Sequence, residues 1–242
     1  MDSIILAGGF AKRMLPLTKN IPKQLLDVGG KPMLQHVIES LENIAPDRII
    51  ISVNSFFASQ FQNFIDNYKG TMNLQLYAEP SLSEEEKLGA LGALHLLFKK
   101  LDLDGPVFIA GGDNLSDFDL SRMVTVAQDT GRDVIGLYDV EDVELAKLYG
   151  VAQQDGDLLT DFVEKPSVPQ STLAATAYWL LSKSGVADLL DYIESGGNRD
   201  AMGNFLAWNT RRNDVHSVVF RGTWYDIGSI ESYNEAQKWL SN

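Results

Sequence analysis

A chain of 242 residues is long enough for one large domain with a sizeable core, and 45% apolar with 22% charged residues is the make-up of an ordinary globular protein. A formal net charge of −13 argues against sequence-independent nucleic-acid binding, which needs a basic face. The absence of cysteine excludes disulfides and cysteine-ligated zinc and fits a cytoplasmic protein; no stretch is long and apolar enough to span a membrane, and the chain opens on a strand, so no signal peptide is expected.

Ile4-Ile5-Leu6-Ala7 reads as a fully buried strand. It ends on Gly8-Gly9, where glycines let a backbone approach a ligand and aim amides at it. A loop with Lys12, Arg13, Lys19 and Lys23 follows. Residues 8–31 carry five cations, Lys31 included, against Asp27 alone, which is +4 here and −17 in the remainder. Cations behind a glycine turn suit phosphate oxygens. Residues 3–32 therefore read as a triphosphate cradle at the carboxyl end of a central strand, where open α/β sheets bind ligands.

Strand and helix patterns then alternate. Met33, Leu34, Val37, Ile38 and Leu41 mark a helical face behind Pro32. Residues 48–53 form a buried strand, and Phe57, Phe61, Phe64, Ile65 and Tyr68 a second helix ending at Gly70. Residues 74–78 are a short strand; Leu91, Leu94, Leu97 and Phe98 mark a third helix. Residues 107–110 form a strand that runs into Gly111-Gly112-Asp113. Asp119 is positioned to cap a fourth helix closed by Gly131, before a strand at 134–140.

From about residue 150 the pieces shorten: 151–154, a turn at Asp155-Gly156, 158–164 and 174–181 as strands. Helical patterns at 185–194 and 201–211 precede a strand at 215–220. Ile230, Tyr233, Ala236 and Leu240 share one face of a last helix. The class read from this is α/β, a Rossmann-like doubly wound mixed sheet with a smaller β-rich part. It forms one continuous domain over 1–242, with a soft division into halves at 1–130 and 131–242.

Asp113 follows a buried strand and two glycines; Asp226 stands in TWYDIGS. A carboxylate at a strand end suits Mg²⁺, which takes one or two carboxylates and completes its shell with phosphate and water. Taken alone, Asp113 reads equally as a turn residue and Asp226 as a helix-entry residue. Glu84-Glu85-Glu86 reads as a solvated helix entry. His36, His95 and His216 lack metal-ligand spacing. The chain has neither the GxGxxG of a dinucleotide fold nor the GxxxxGK[ST] of a P-loop.

The opening resembles the family of sugar-1-phosphate nucleotidylyltransferases, whose pattern runs LAGGxGTRLxPLT and then PKxLLxVxxKP. Leu6-Ala7-Gly8-Gly9, Arg13, Pro16-Leu17-Thr18, Pro22-Lys23, Leu25-Leu26, Val28 and Lys31-Pro32 match; Ala11-Lys12 replaces the usual Gly-Thr. The resemblance extends to about Ala236. It implies the nucleotide-diphospho-sugar transferase type of fold, with a nucleotide-binding half and a sugar-phosphate-binding half. It also implies transfer from a nucleoside triphosphate to a sugar 1-phosphate, releasing pyrophosphate, with Mg²⁺ on Asp113 and Asp226.

By the same resemblance Arg13 and Lys23 join those aspartates in catalysis. Leu6, Ala7, Gly8, Gly9, Arg13, Glu79 and Gly89 bind the nucleotide. Asn114, Gly150 (of Tyr149-Gly150-Val151), Glu164 and Lys165 (of Glu164-Lys165-Pro166) bind the sugar phosphate. Ala90-Leu91, Ala174 and Thr176 depart from the family's usual residues. The expected product is a dTDP- or UDP-glucose. Three alternatives are mannose-1-phosphate guanylyl transfer, kept open by Glu79, cytidylyl transfer to an alcohol phosphate, and a non-catalytic nucleotide-sugar sensor. Retention of Arg13, Lys23, Asp113, Lys165 and Asp226 speaks against the sensor. Partners are then the triphosphate and the sugar 1-phosphate, without nucleic acid or membrane, and a homo-oligomer is left open. No acetyl transfer is expected, since no β-helical stretch follows the last helix.

Overall fold

The computed structural model describes residues 1–241. β1 (Asp2–Leu6) is the first apolar run, with Ser3, Ile4 and Ile5 buried. The basic loop is wound into two single 3₁₀ turns, Lys12–Met14 and Lys23–Leu25. A small antiparallel hairpin joins β2 (Asp27–Val28) to β3 (Lys31–Pro32). α1 (Met33–Ser40) begins on Pro32 and buries the residues its 3.6-residue spacing selects: Met33, Leu34, Val37 and Ile38. β4 (Ile49–Asn54), α2 (Ala58–Asn67) and β5 (Leu74–Glu79) follow.

Next come α3 (Ala90–Leu101), β6 (Val107–Gly111), β7 (Asn114–Ser116), α4 (Ser121–Thr130) and β8 (Asp133–Asp139). The remainder is α5 (Val143–Ala146), β9 (Gly150–Asp155), β10 (Leu158–Glu164), β11 (Leu173–Leu181), α6 (Lys183–Glu194), α7 (Met202–Asn209), β12 (Val215–Phe220), β13 (Trp224–Asp226) and α8 (Ile230–Leu240). The class is the expected one, mixed α/β on a central mixed sheet.

The chain separates into two compact units. The first comprises Met1–Lys87, Ala110–Asp119 and residues 222–241; the second comprises Leu88–Ile109 and Leu120–Arg221. In the first, β5, β4 and β1 lie side by side and parallel, Ile4 opposite Ile50 and Ile50 opposite Gln75. The all-buried pattern of β4 is what a parallel strand between two neighbours requires. β7 and β13 form a separate antiparallel pair, which sets Asp226 opposite Asn114. In the second unit the strand order is β11-β8-β12-β10-β9. Here β8 and β12 are parallel, while β9 and β10 form an antiparallel hairpin around Gly156. α4 covers β8 and β12, and α3, α6 and α7 pack on one another.

Local details differ from the expected pattern. The N-cap of α4 falls on Leu120 rather than Asp119, because the chain is already helical at Leu120; Gly131 closes the helix in the left-handed conformation as expected. α5 is too short for periodicity to reveal. It is announced by Asp142, whose carboxylate accepts from the Glu144 and Leu145 amides. The acid run makes an exposed 3₁₀ turn, Glu84–Glu86. Among the described residues, no helix is long and apolar enough to cross a membrane.

Candidate active site

The glycine turn leaves β1 at Leu6-Ala7 and is held from behind. Ala7 donates to the Ser52 carbonyl at 2.7 Å, and the Asn54 amide donates to the Gly8 carbonyl at 3.0 Å. Glycine at position 8 leaves room for Glu79: a Cβ there would lie 2.7 Å from Glu79 Oε1, and the carboxylate would have to shift. Glu79 ends β5 and is 4% exposed, with Ser52 Oγ donating to Oε1 at 2.9 Å. Burial pushes its carboxyl above the usual range, against the Ser52 bond. A buried carboxylate thus backs directly on the turn.

Ala11, which stands where the family pattern has glycine, takes φ +50°, the left-handed region that favours glycine. Two bonds to its carbonyl hold it there, from Met14 N at 3.0 Å and Thr18 Oγ1 at 3.0 Å. Lys12 is exposed and reaches Glu85 at 3.4 Å. The Arg13 guanidinium is exposed and lies against Gly228, where a Cβ would stand 3.1 Å from Nη2.

The two aspartates meet. Gly112 donates to the Leu6 carbonyl at 2.9 Å, so Asp113 emerges beside the start of the glycine turn. Ile227 donates to the Asp113 carbonyl at 2.9 Å, and Asp226 faces Asn114 across the β7–β13 pair. One amide group serves both carboxylates: Asn114 Nδ2 donates to Asp113 Oδ1 at 3.1 Å and to Asp226 Oδ1 at 3.3 Å. Lys23 Nζ donates to Asp113 Oδ2 at 2.5 Å and to the Ile227 carbonyl at 2.9 Å. Burial alone would raise the Asp113 carboxyl. The Lys23 ammonium, its hydrogen bond and the Asn114 amide outweigh this and hold it below the usual carboxylate range.

Mg²⁺ suits this donor set. Two carboxylates, Asp113 from the turn before β7 and Asp226 from β13, are what a hard cation takes from protein when phosphate and water supply the rest. No third carboxylate or imidazole completes a cage among the described residues, which leaves the other positions to ligand oxygens.

In the second unit, Glu164 ends β10 with its carboxylate lodged against two glycines. A Cβ on Gly150 would lie 2.9 Å from Oε2, and one on Gly203 only 1.9 Å. Burial raises the Glu164 carboxyl; Lys165 opposes the shift and Asp200 adds to it. Lys165 is exposed and has φ +47°, while its amide donates to the Tyr149 carbonyl at 3.1 Å. A left-handed lysine pinned by its neighbour marks a place where geometry is held at a cost in strain. Gly89 begins α3 at φ +74°, and the first amides of that helix go to Asp200 and Arg199 carbonyls. Thr176 is 2% exposed and its hydroxyl donates to the Gly136 carbonyl at 2.8 Å, so its departure from the family's residue has a structural use.

Sequence reading missed Trp224 and Ser52. Trp224 Nε1 donates to Asn114 Oδ1 at 2.8 Å. The sequence offers as signal only the two-residue spacing of Trp224 and Asp226; that Asn114 is the diagonal cross-strand neighbour within reach of the indole follows from the β7–β13 pairing. Ser52 offered none, being one polar residue inside an apolar strand.

Residues 2–242 match the family model described as nucleotidyl transferase. A mannose-1-phosphate guanylyltransferase 1 of Arabidopsis thaliana is 28% identical over 238 residues, 96% of this chain and 63% of that protein. The mannose-1-phosphate guanylyltransferase catalytic subunit beta of Xenopus tropicalis is 27% identical over 237 residues, 96% of this chain and 62% of that protein. The chain thus spans about three-fifths of the length of these relatives. Among solved structures, an apo UDP-glucose pyrophosphorylase superposes with a TM-score of 0.82 at 21% identity, over 98% of this chain and 97% of that one, a likeness of fold. The chain belongs to the nucleotidyl transferase family.

Proposed function

We propose that the chain transfers a nucleotidyl group from a nucleoside triphosphate to a sugar 1-phosphate, releasing pyrophosphate. One observation carries this reading: Asp113 and Asp226, more than a hundred residues apart in sequence, share the Asn114 amide beside the glycine turn, with the Lys23 ammonium on Asp113.

The acceptor phosphate is already ionised, so attack on the α-phosphorus needs no general base. Catalysis then rests on holding two anions in line and screening their repulsion. Two unit charges ~4 Å apart repel by ~4 kcal/mol at an effective dielectric of 20, and each reactant carries more than one. Asp113 and Asp226 would hold Mg²⁺, which supplies that screening when bound. The Gly8-Gly9 amides and Arg13 take the triphosphate and the leaving pyrophosphate. Lys23 steadies the α-phosphate. Lys165 takes the acceptor phosphate and Glu164 the sugar hydroxyls.

For the base, the buried Glu79 supports guanine. Guanine offers two N–H donors on one edge, enough for both oxygens of a carboxylate; thymine and uracil offer one. The names of the guanylyltransferase relatives point the same way. Thymidylyl or uridylyl transfer to glucose 1-phosphate, the first expectation from sequence, is the second reading.

The test is a panel of five nucleoside triphosphates crossed with mannose and glucose 1-phosphates, read as pyrophosphate released with Mg²⁺. GTP with mannose 1-phosphate should lead. Preference for dTTP or UTP installs the second reading, and no release with any pair overturns the proposal.

A further inference from the structure

We propose that Trp224 and Asn114 form a clasp that holds Asp113 and Asp226 together as a pair prepared for a divalent cation. Asn114 is the positioning residue, and the Trp224 indole dictates which way its amide faces. The proposal rests on the reading above that these carboxylates take a metal ion.

The orientation follows from donor and acceptor chemistry. An indole Nε1–H donates and accepts nothing, so the atom of Asn114 facing it at 2.8 Å must be the amide oxygen. The NH₂ group then points the other way. Its two hydrogens meet Asp113 Oδ1 and Asp226 Oδ1, at 3.1 and 3.3 Å. A flipped amide would set a carbonyl oxygen against two carboxylates and an NH₂ against the indole N–H, both repulsive. Asn114 is 3% exposed, so water cannot relieve either contact.

The strand geometry places the three side chains of the clasp together. Asp226 and Asn114 are register partners, and Trp224 lies two residues back along β13 on the same face. Two carboxylates that share a site repel each other, and the amide between them offsets part of that repulsion before any cation arrives. Both NH₂ hydrogens are thereby engaged with carboxylates.

The test is Mn²⁺ binding to the free protein, read by electron paramagnetic resonance without nucleotide. The share belonging to the site is the part that Asp226→Asn removes. Trp224→Phe keeps the ring and loses only the N–H. It should weaken that share about tenfold, the lower end of what losing an outer partner of a metal ligand costs. Asn114→Ala should weaken it at least as much, and Trp224→Phe should cost nothing further in the Asn114→Ala background. Unchanged affinity in Trp224→Phe overturns the clasp, as does multiplication of the two effects in the double variant. So does a fall in melting temperature with parental Mn²⁺ affinity, which assigns the pair to packing. If the parent protein binds no Mn²⁺ that Asp226→Asn removes, the metal reading falls and the clasp with it.

Discussion

Replacing Lys23 by Met keeps most of the side-chain volume and removes the cation that neutralises Asp113. At 2.5 Å, the two unit charges attract by about 6–7 kcal/mol gross at an effective dielectric of 20. Desolvation offsets much of this, and breaking a fully buried pair costs about 3–5 kcal/mol. The pair is not fully buried, with side chains 11% and 25% exposed, so solvent screening brings the expected loss to about 2–4 kcal/mol. The Ile227 carbonyl also loses its donor. For a chain of this size the melting temperature should fall by about 5–12 °C.

The assay is urea unfolding by circular dichroism in EDTA, which keeps metal out of the comparison. The pH dependence has a definite sign. Asp113 is held below its usual range, so its contribution is present above the unfolded carboxyl value and lost as pH falls through the folded one. The gap between parent and Lys23→Met should be wide at pH 7 and narrow below about pH 4. A gap under about 0.5 kcal/mol, or one that ignores pH, would refute the assignment of Lys23 as the counter-ion of Asp113.

Ala11→Gly should stabilise the protein by about 0.5–1 kcal/mol, since the left-handed backbone there strains any side chain; a destabilised variant in the same urea assay would show that the basic loop carries no such strain. Glu79→Gln removes a charge that burial disfavours. Protonation of Glu79 supports the parent fold below the unfolded carboxyl value, and that support is lost as pH rises through its raised pKa. The Gln variant should therefore gain on the parent toward pH 8 and lose the advantage toward pH 4, and its use of GTP over UTP should fall. A constant stability difference across that range would contradict the burial cost.

How much was legible in the sequence depended on length and on periodicity. β1, β4 and β8 each carry an apolar run, Ile4–Leu6, Ile49–Ile51 and Val134–Ile135, and α1 and α8 declare one face at 3.6-residue spacing, so all five were readable. β7 and β13 are three residues each and carry polar side chains on the face that matters, which leaves no pattern to find. The aspartates were picked out by their glycine-flanked contexts and by family resemblance. Their meeting depends on a strand pairing across more than a hundred residues, which no local signal announces. Thr176 looked like a change in the sugar site; its bond to Gly136 is visible only once β11 lies beside β8. Glu79 was readable as a base contact by resemblance, whereas its burial under Gly8 follows from the parallel register of β4 and β5.

The central claim is that Asp113 and Asp226 together support nucleotidyl transfer. Asp226→Asn keeps the size and the strand pairing and removes one carboxylate charge. With matched circular dichroism spectra, nucleoside-diphosphate sugar should form with equimolar pyrophosphate in the parent and fall at least a hundredfold in the variant at saturating Mg²⁺, about the loss of one main element of charge stabilisation. Parental product formation by Asp226→Asn would contradict it.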